Sequence, residues 1–159
     1  QHGRCALLTN SSTITDTSLW NDLLPMDLIS FKIDAATQET FERVNKPCWN
    51  IKIKDIIEGI SEFTRMYKGL FTIQIMMVEE NLSEADKIAC ICKELKPDLV
   101  YLNTPLRDSS VRPLTRKEFS AIAGFFNQIP HLSVFEAKKK PVKPISYDDT
   151  IKRRGKKIW

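Results

Sequence analysis

Hydrophobic positions along the chain form short, nearly continuous runs, separated by stretches in which apolar residues recur every three to four positions. Four of the runs, at residues 5–10, 28–34, 70–78 and 98–103, have the length and the β-branched content of strands that are covered on both faces. A shorter run at 132–135 predicts a fifth strand. Because helical stretches separate the runs, the pattern predicts βαβ units and a parallel sheet.

The stretches between the strands carry the start and stop signals of helices. Thr115 and Glu118 are three residues apart and form a capping box, a signal for the start of a helix, and Ser83 and Asp86 have the same spacing. Gly69 directly follows the predicted helix at 54–68 and is typical of a helix C-terminus. Right-handed crossovers then allow two architectures, a doubly wound sheet or part of a β/α barrel. The predicted helices span residues 16–24, 37–45, 54–68, 83–96 and 115–129.

Composition changes this picture mainly through charge. The 159 residues, 42% hydrophobic and 28% charged, are typical of one soluble globular domain, and no apolar run approaches the ~20 residues that span a bilayer. The net charge of +4 is unevenly divided, because residues 138–159 hold nine basic and two acidic residues, whereas residues 1–137 hold 15 and 18. We therefore predict a β/α body over 1–137 and a basic extended tail over 138–159, without a polyanion-binding surface on the body.

The four cysteines, Cys5, Cys48, Cys90 and Cys92, predict no metal site. No targeting segment is visible, so we expect a cytoplasmic protein with reduced thiols. Cys90 and Cys92 are two residues apart in a predicted helix, which separates them by about 200° around its axis, so they cannot hold one metal ion together. Cys92 is predicted to be in the core and Cys90 at the side of the helix.

Polar residues collect where the predicted strands end, which is where both candidate architectures place their sites. In the second strand, Ser30, Lys32 and Asp34 share one face, because side chains alternate along a strand. Burying a lysine without a partner is costly, so Lys32 should meet either Asp34, as a core ion pair, or a polar ligand. Gln74, between two isoleucines of the third strand, also faces inward and adds to a polar cavity.

Several of these segments resemble one known family. Residues 9–127 resemble the C-terminal two thirds of a radical S-adenosylmethionine (SAM) domain, closest to the subgroup related to the tRNA wyosine-synthesis radical SAM enzymes. The resemblance implies part of a (β/α)6 partial barrel, in which a 4Fe-4S cluster binds SAM and one electron cleaves it to a 5′-deoxyadenosyl radical. The matching pieces are TNSS at 9–12, DLISFKIDAATQETFERVNKP at 27–47, VEENLSE at 78–84 and PDLVYLNTPLR at 97–107.

The resemblance also implies roles for residues at the strand ends. Lys32 suits a carboxylate as a point charge, and Arg107 suits a phosphate or carboxylate through its planar guanidinium. The implied cofactor-binding residues are Thr9, Asn10, Ser30, Lys32 and Asn103, and Arg107 is implied on the substrate side. Strand parity adds Asp34 to the predicted cofactor-binding residues and Gln74 to the predicted substrate-binding residues.

The sequence departs from the family in its cluster ligands. The motif Cys-x3-Cys-x2-Cys does not occur in it, nor does the glycine-rich motif after the second barrel strand, and without three thiolates nothing holds the cluster. We therefore expect a fragment that lacks the first two β/α units, is inactive alone, and self-associates through an uncovered sheet edge. Two alternatives stay open: a non-catalytic module whose basic tail binds RNA or another polyanion, and a β/α enzyme that uses Lys32 as a Schiff-base amine.

Overall fold

A computed structural model of the protein describes residues 3–48, 50–107 and 109–137, and its five strands form one parallel sheet in chain order. All five predicted strands are present, but most are shorter than predicted. The second strand, for example, ends at Lys32 rather than at residue 34, because the chain turns there toward the next helix. The strands are β1 (Ala6–Thr9), β2 (Leu28–Lys32), β3 (Leu70–Met76), β4 (Leu99–Asn103) and β5 (His131–Ser133).

All five predicted helices are present, but the first and fourth α-helices begin later than predicted and the third and fifth end earlier. Thr115 and Glu118 form the predicted capping box. The predicted start at Ser83 is wrong, because a 3₁₀ helix, Glu79–Glu84, comes first and the α-helix begins at Ala85. The α-helices are α1 (Trp20–Leu23), α2 (Gln38–Asn45), α3 (Ile53–Thr64), α4 (Ala85–Leu95) and α5 (Arg116–Ala123), and further 3₁₀ turns cover Thr17–Leu19 and Gly124–Phe126.

The strand order decides between the two candidate architectures. A doubly wound sheet reverses its strand order at a switch point and carries helices on both faces. Here each strand lies beside the one before it, so right-handed crossovers place the connecting helices on a single face. This is the arrangement of a partial β/α barrel, as predicted.

The hydrophobic core lies between the sheet and these helices. Alternate residues of the central strands, such as Phe31 of β2 and Ile73 of β3, are at most 1% exposed. Phe63 of α3 packs edge-to-face on Phe31, with ring centroids 5.9 Å apart. We call this side of the sheet the helix-covered face.

Strand residues of the opposite parity form a second face, which we call the open face. Its amino-terminal part is apolar and carries Leu28 and Leu70, of which Leu70 is 55% exposed. Leu8, 69% exposed, lies on the edge strand β1 beside Ser30. Its carboxyl-terminal part is polar, because the pairing register places polar side chains side by side on neighbouring strands. Lys32, Gln74 and Tyr101 form one row, Ser30 and Thr72 lie in the row before it, and Met76 and Asn103 form the row after it.

Within the described ranges, no helix has the length and apolar character needed to cross a membrane.

Candidate functional site

An ion pair lies where β2 ends. Lys32 Nζ donates to Asp34 Oδ2, and the two side chains differ in accessibility, since that of Lys32 is 31% exposed and that of Asp34 is 0% exposed. Asp34 also accepts hydrogen bonds from Asn45 Nδ2 at 2.7 Å and from the Met76 backbone N–H at 2.8 Å. The carboxylate is therefore enclosed, and the ammonium is the part of the pair that reaches the open face.

The length of α2 brings Asn45 to this ion pair. Thr37 caps the start of the helix by accepting from the Thr40 N–H, and the helix ends after eight residues at Asn45. Lys46 follows with φ of 46°, the left-handed conformation that often terminates a helix. Two turns of helix thus return the chain to Asp34, so that Asn45 closes on its carboxylate.

Two buried residues of the Glu79–Glu84 turn hold the loop that follows β2. Asn81, 0% exposed, donates to the backbone oxygens of Asp34 at 2.7 Å and Met76 at 2.9 Å. Glu84 accepts from the Ala36 N–H at 2.8 Å and from the N–H and hydroxyl of Thr37. Their hydrogen bonds hold the carboxyl ends of β2 and β3 together. The sequence analysis predicted no role for either residue.

Glu84 stays ionised in this position. Burial, the largest single influence, would raise its pKa, but the combined hydrogen bonds from Thr37, Ala36 and Thr40 outweigh burial and lower the pKa below the ordinary value of 4.5. The carboxylate is thus a fixed negative charge that binds backbone donors at the start of α2.

The turn after β1 is held by its own side chains. Ser11 adopts φ of 68°, and its hydroxyl donates to the Lys32 backbone oxygen at 3.1 Å and accepts from the Lys32 N–H at 2.9 Å. Asn10 Oδ1 accepts from the backbone and hydroxyl of Ser12. Thr9 is paired with Phe31 on the helix-covered face, and its hydroxyl accepts from the Ser11 N–H at 3.1 Å. The side chain of Thr9 therefore belongs to the turn and not to the open face.

Beyond β4, the chain passes from the buried Thr104 to the exposed residues Leu106 and Arg107. The Asn103 backbone oxygen accepts from the Met77 N–H at 2.7 Å, and this pairing holds the end of β4 beside β3. Arg107, four residues further, is exposed. Arg112 then pairs with Glu118 at 2.9 Å, and this contact, together with the capping bonds from Thr115, lowers the pKa of Glu118 to about 2.

The structure brings together only part of the predicted set. Ser30, Lys32, Gln74 and Asn103 share the carboxyl-terminal part of the open face, as strand parity predicts. Lys32 is the only charged side chain at the strand positions of this face in the described residues. Tyr101, in the same row as Gln74, was missed, although the parity of β4 would have placed it there.

Two surface depressions lie away from this face. One, of about 490 Å³, lies near the ends of α3 and α4 and is lined partly by Arg65 and Asp98. The other, of about 710 Å³, lies beside α2 and is lined partly by Gln38 and Lys52. Neither is lined by the polar residues of the open face.

The cysteines do not fit an iron–sulfur cluster. Cys5 precedes β1, at the opposite end of the strand from the polar residues, and Cys90 and Cys92 lie on α4. As predicted, Cys90 is exposed and Cys92 is buried, and burial raises the pKa of the Cys92 thiol to about 12. Residues 3–48, 50–107 and 109–137 contain no group of three or more His, Cys, Asp or Glu side chains placed to hold a metal ion.

Comparison of sequences shows similarity to UPF0026 proteins. A UPF0026 protein of Methanocaldococcus jannaschii is 34% identical over 133 residues, which are 78% of this chain and 40% of that protein. A UPF0026 protein of Helicobacter pylori is 28% identical over 142 residues, 84% of this chain and 46% of that protein. The chain thus spans less than half the length of these relatives, and no family model matches it.

A third relative carries a different name. A protein named GTPase Obg from Brachyspira hyodysenteriae is 28% identical over 156 residues, which are 91% of this chain but only 23% of that protein. The present sequence contains no Gly-x4-Gly-Lys-Ser/Thr motif, the loop that cradles nucleotide phosphates. This likeness therefore gives no reason to propose GTP binding here.

Comparison of structures agrees with the strand order. The chain is similar to a radical SAM methyltransferase from Sphaerobacter thermophilus, with a TM-score of 0.58 and 12% sequence identity, over 80% of this chain and 39% of that one. At this identity the likeness shows the fold, a partial TIM-type β/α barrel with a five-stranded parallel sheet.

Proposed function

We propose that this chain is the SAM-facing part of a radical SAM enzyme, without the cysteines that hold the cluster and inactive by itself. The observation that carries the proposal is the polar carboxyl-terminal part of the open face, at the edge of a sheet whose fold resembles a radical SAM methyltransferase. The closer relation to the wyosine-synthesis subgroup is supported by the sequence pieces at 9–12, 27–47, 78–84 and 97–107.

The side chains of this face suit a polar ligand that carries a carboxylate. Lys32 offers an ammonium to a carboxylate, and Gln74, Tyr101 and Asn103 offer amide and hydroxyl groups to ribose hydroxyls or ring nitrogens. SAM has all of these groups, and when bound with a reduced cluster in the parent family it supplies an adenosyl radical. No three cysteines of this chain lie together to hold that cluster, so we assign this chain binding and not radical formation.

The contacts of Lys32 argue against its use as a Schiff-base nucleophile. Attack on a carbonyl needs a neutral amine, which enzymes obtain by placing lysine in an apolar pocket or beside another cation. Lys32 instead lies on a polar face and pairs with the enclosed carboxylate of Asp34, which is neither of these settings.

Binding of the cofactor tests the proposal directly. Calorimetric titration of the chain with SAM should give a measurable dissociation constant, and Lys32→Met should weaken binding by about tenfold or more, the effect of losing one charge-assisted hydrogen bond. Lys54→Met is the matched control, because Lys54 is an exposed lysine of α3 that pairs with Glu58. Equal weakening by both substitutions, or no binding by the unsubstituted chain, would contradict the proposal.

The inactivity of the chain has a separate test. Anaerobic reconstitution with iron and sulfide should leave it without a stable four-iron cluster, measured by iron content and by the visible absorbance of the cluster. A stable four-iron cluster would contradict this expectation, because it would show that the cysteines of this chain can hold a cluster without the family motif.

A second candidate function rests on the charge of the tail. Residues 138–159 carry a net charge of +7, against −3 for residues 1–137, which favours binding of a polyanion such as RNA. Binding to a mixed-sequence RNA should weaken steeply with salt and should disappear when residues 138–159 are deleted. Retention of binding after the deletion would place the contact on the body instead.

A further inference from the structure

The two partners at the end of β2 differ in what they can touch. Asp34 has a fully enclosed side chain, and both of its oxygens are occupied, Oδ1 by the Met76 N–H and Oδ2 by Asn45 and Lys32. Lys32 is partly exposed and has three N–H donors, of which Asp34 uses one. A ligand on the open face can thus reach the ammonium, whereas it cannot reach the carboxylate.

The carboxylate is held more firmly than the ammonium. The Met76 N–H comes from β3 and Asn45 comes from the end of α2, so two separate elements fix the orientation of Asp34. Asn81 in addition binds the backbone oxygen of Asp34. A lysine side chain, by contrast, loses rotamer entropy when a ligand fixes it in one conformation. If the rigid carboxylate already holds the lysine in that conformation, less of this entropy is lost on binding.

We propose that Asp34 is a positioning residue, which acts on the ligand through Lys32 by holding its ammonium at the carboxyl end of the open face to receive an anionic group. This inference rests on the proposed function for the identity of the ligand, a carboxylate-bearing adenosyl compound. It assigns Asp34 a different role from direct cofactor binding, because the side chain has neither exposure nor a free acceptor site toward the open face.

The first experiment measures the ion pair without any ligand. In protein labelled with ¹⁵N and ¹³C, the unsubstituted chain should show a coupling across the hydrogen bond from Lys32 Nζ to the carboxylate carbon of Asp34. The Lys32 signal is assigned by its loss in Lys32→Met. In Asp34→Asn, exchange of the Lys32 ammonium hydrogens with water should become at least tenfold faster.

Glu84→Gln is the matched control for this measurement. Glu84 is also a buried carboxylate at the same edge, but it accepts hydrogen bonds from Ala36 and Thr37 and has none to Lys32. It should leave the exchange of Lys32 unchanged even if it lowers stability. Equal acceleration in both variants would mean a general loss of structure at this edge and would overturn the inference, as would the absence of the coupling in the unsubstituted chain.

The second experiment measures the effect on a ligand. S-adenosylhomocysteine carries the amino-acid carboxylate and 5′-methylthioadenosine does not, so the dissociation constant of 5′-methylthioadenosine divided by that of S-adenosylhomocysteine reports the anionic contact. Asp34→Asn and Lys32→Met should both reduce this ratio by at least fivefold, and Glu84→Gln should not. An unchanged ratio in Asp34→Asn would overturn the role toward the ligand. If the unsubstituted chain binds neither compound, the proposed function fails, while the exchange measurement still decides whether Asp34 positions Lys32.

Discussion

At the scale of single residues, the turn after β1 shows how one side chain compensates for an unfavourable backbone conformation. Ser11 adopts φ of 68°, where a Cβ atom costs about 1 kcal/mol or more relative to glycine. Its hydroxyl makes two hydrogen bonds to the Lys32 backbone and so joins the turn to the strand that carries the candidate site.

Substitution of Ser11 separates the backbone effect from the hydrogen bonds. Ser11→Gly and Ser11→Ala both lose the hydroxyl, but only alanine keeps a Cβ at positive φ. We expect Ser11→Ala to be less stable than Ser11→Gly by about 1 kcal/mol in urea unfolding. Equal stabilities of the two variants would show that the turn relaxes out of this conformation.

Glu84 gives a prediction on pH. Its pKa is lowered in the folded protein, so its contribution to stability is present above its ordinary pKa of 4.5 and is lost as the pH falls through the lowered value. Glu84→Gln should cost about 1–3 kcal/mol near neutral pH, because buried donors lose a charged acceptor, and the difference from the unsubstituted chain should shrink in acid. Urea unfolding across the acid range measures this.

Glu39→Gln on α2 is the control for Glu84, since the Glu39 side chain is 87% exposed. It should change the free energy of unfolding by no more than about 0.5 kcal/mol at any pH. A difference for Glu84→Gln that persists unchanged into strong acid would mean that packing, and not charge, explains its effect.

At the scale of elements, α3 is the helix that anchors the aromatic part of the core. Phe63, 0% exposed, contacts Trp20, Phe31 and Tyr67, with ring centroids 5.3 to 5.9 Å apart. These partners come from α1, β2 and the segment after α3, so one side chain joins three parts of the chain. β2, whose end carries Lys32, is therefore held against α3 by aromatic packing.

Removal of this ring tests the role of α3. Phe63→Ala should destabilise the protein by about 3–5 kcal/mol in urea unfolding, because it removes buried apolar surface and leaves a cavity. Glu62→Ala, at the neighbouring exposed position of the same helix, should cost no more than about 0.5 kcal/mol. A small cost for Phe63→Ala would indicate that the helix packs loosely on the sheet.

At the scale of the whole molecule, β1 is an edge strand among the described residues, where it pairs only with β2. Leu8 lies on its open face and is 69% exposed. A parallel strand with one unpaired edge and an exposed leucine offers backbone groups and apolar surface to another chain, so we propose that the chain self-associates through this edge.

Substitution at β1 tests this proposal. Leu8→Lys should shift the protein toward monomer in sedimentation velocity at high concentration, since an edge lysine opposes strand pairing. Leu106→Lys is the matched control, because Leu106 is similarly exposed, at 66%, but lies in the loop after β4. A monomeric unsubstituted chain, or an equal shift by both substitutions, would contradict association through β1.

The open face was predictable because it depends on strand parity alone. Ser30, Lys32 and Gln74 follow from alternation in β2 and β3, and the same reasoning applied to β4 would have added Tyr101. The predicted helix start at Ser83 was wrong for a local reason, since Ser83 lies inside a 3₁₀ turn and the Asn81 side chain accepts from the N–H of Val78, the residue before that turn.

The amino-acid sequence by itself determined the order of strands and α-helices, the face on which Lys32 lies and the lack of the family's cluster motif, because these depend on local periodicity and on residue identity. Only the tertiary structure decided that the Asp34 side chain is enclosed and that Asn81 and Glu84 form hydrogen bonds with the loop after β2. Met76, Asn81 and Glu84 meet that loop across 42 to 48 residues of sequence. The physical reason is that buried polar groups must find hydrogen-bond partners wherever the sheet order brings them, and no local pattern encodes that order.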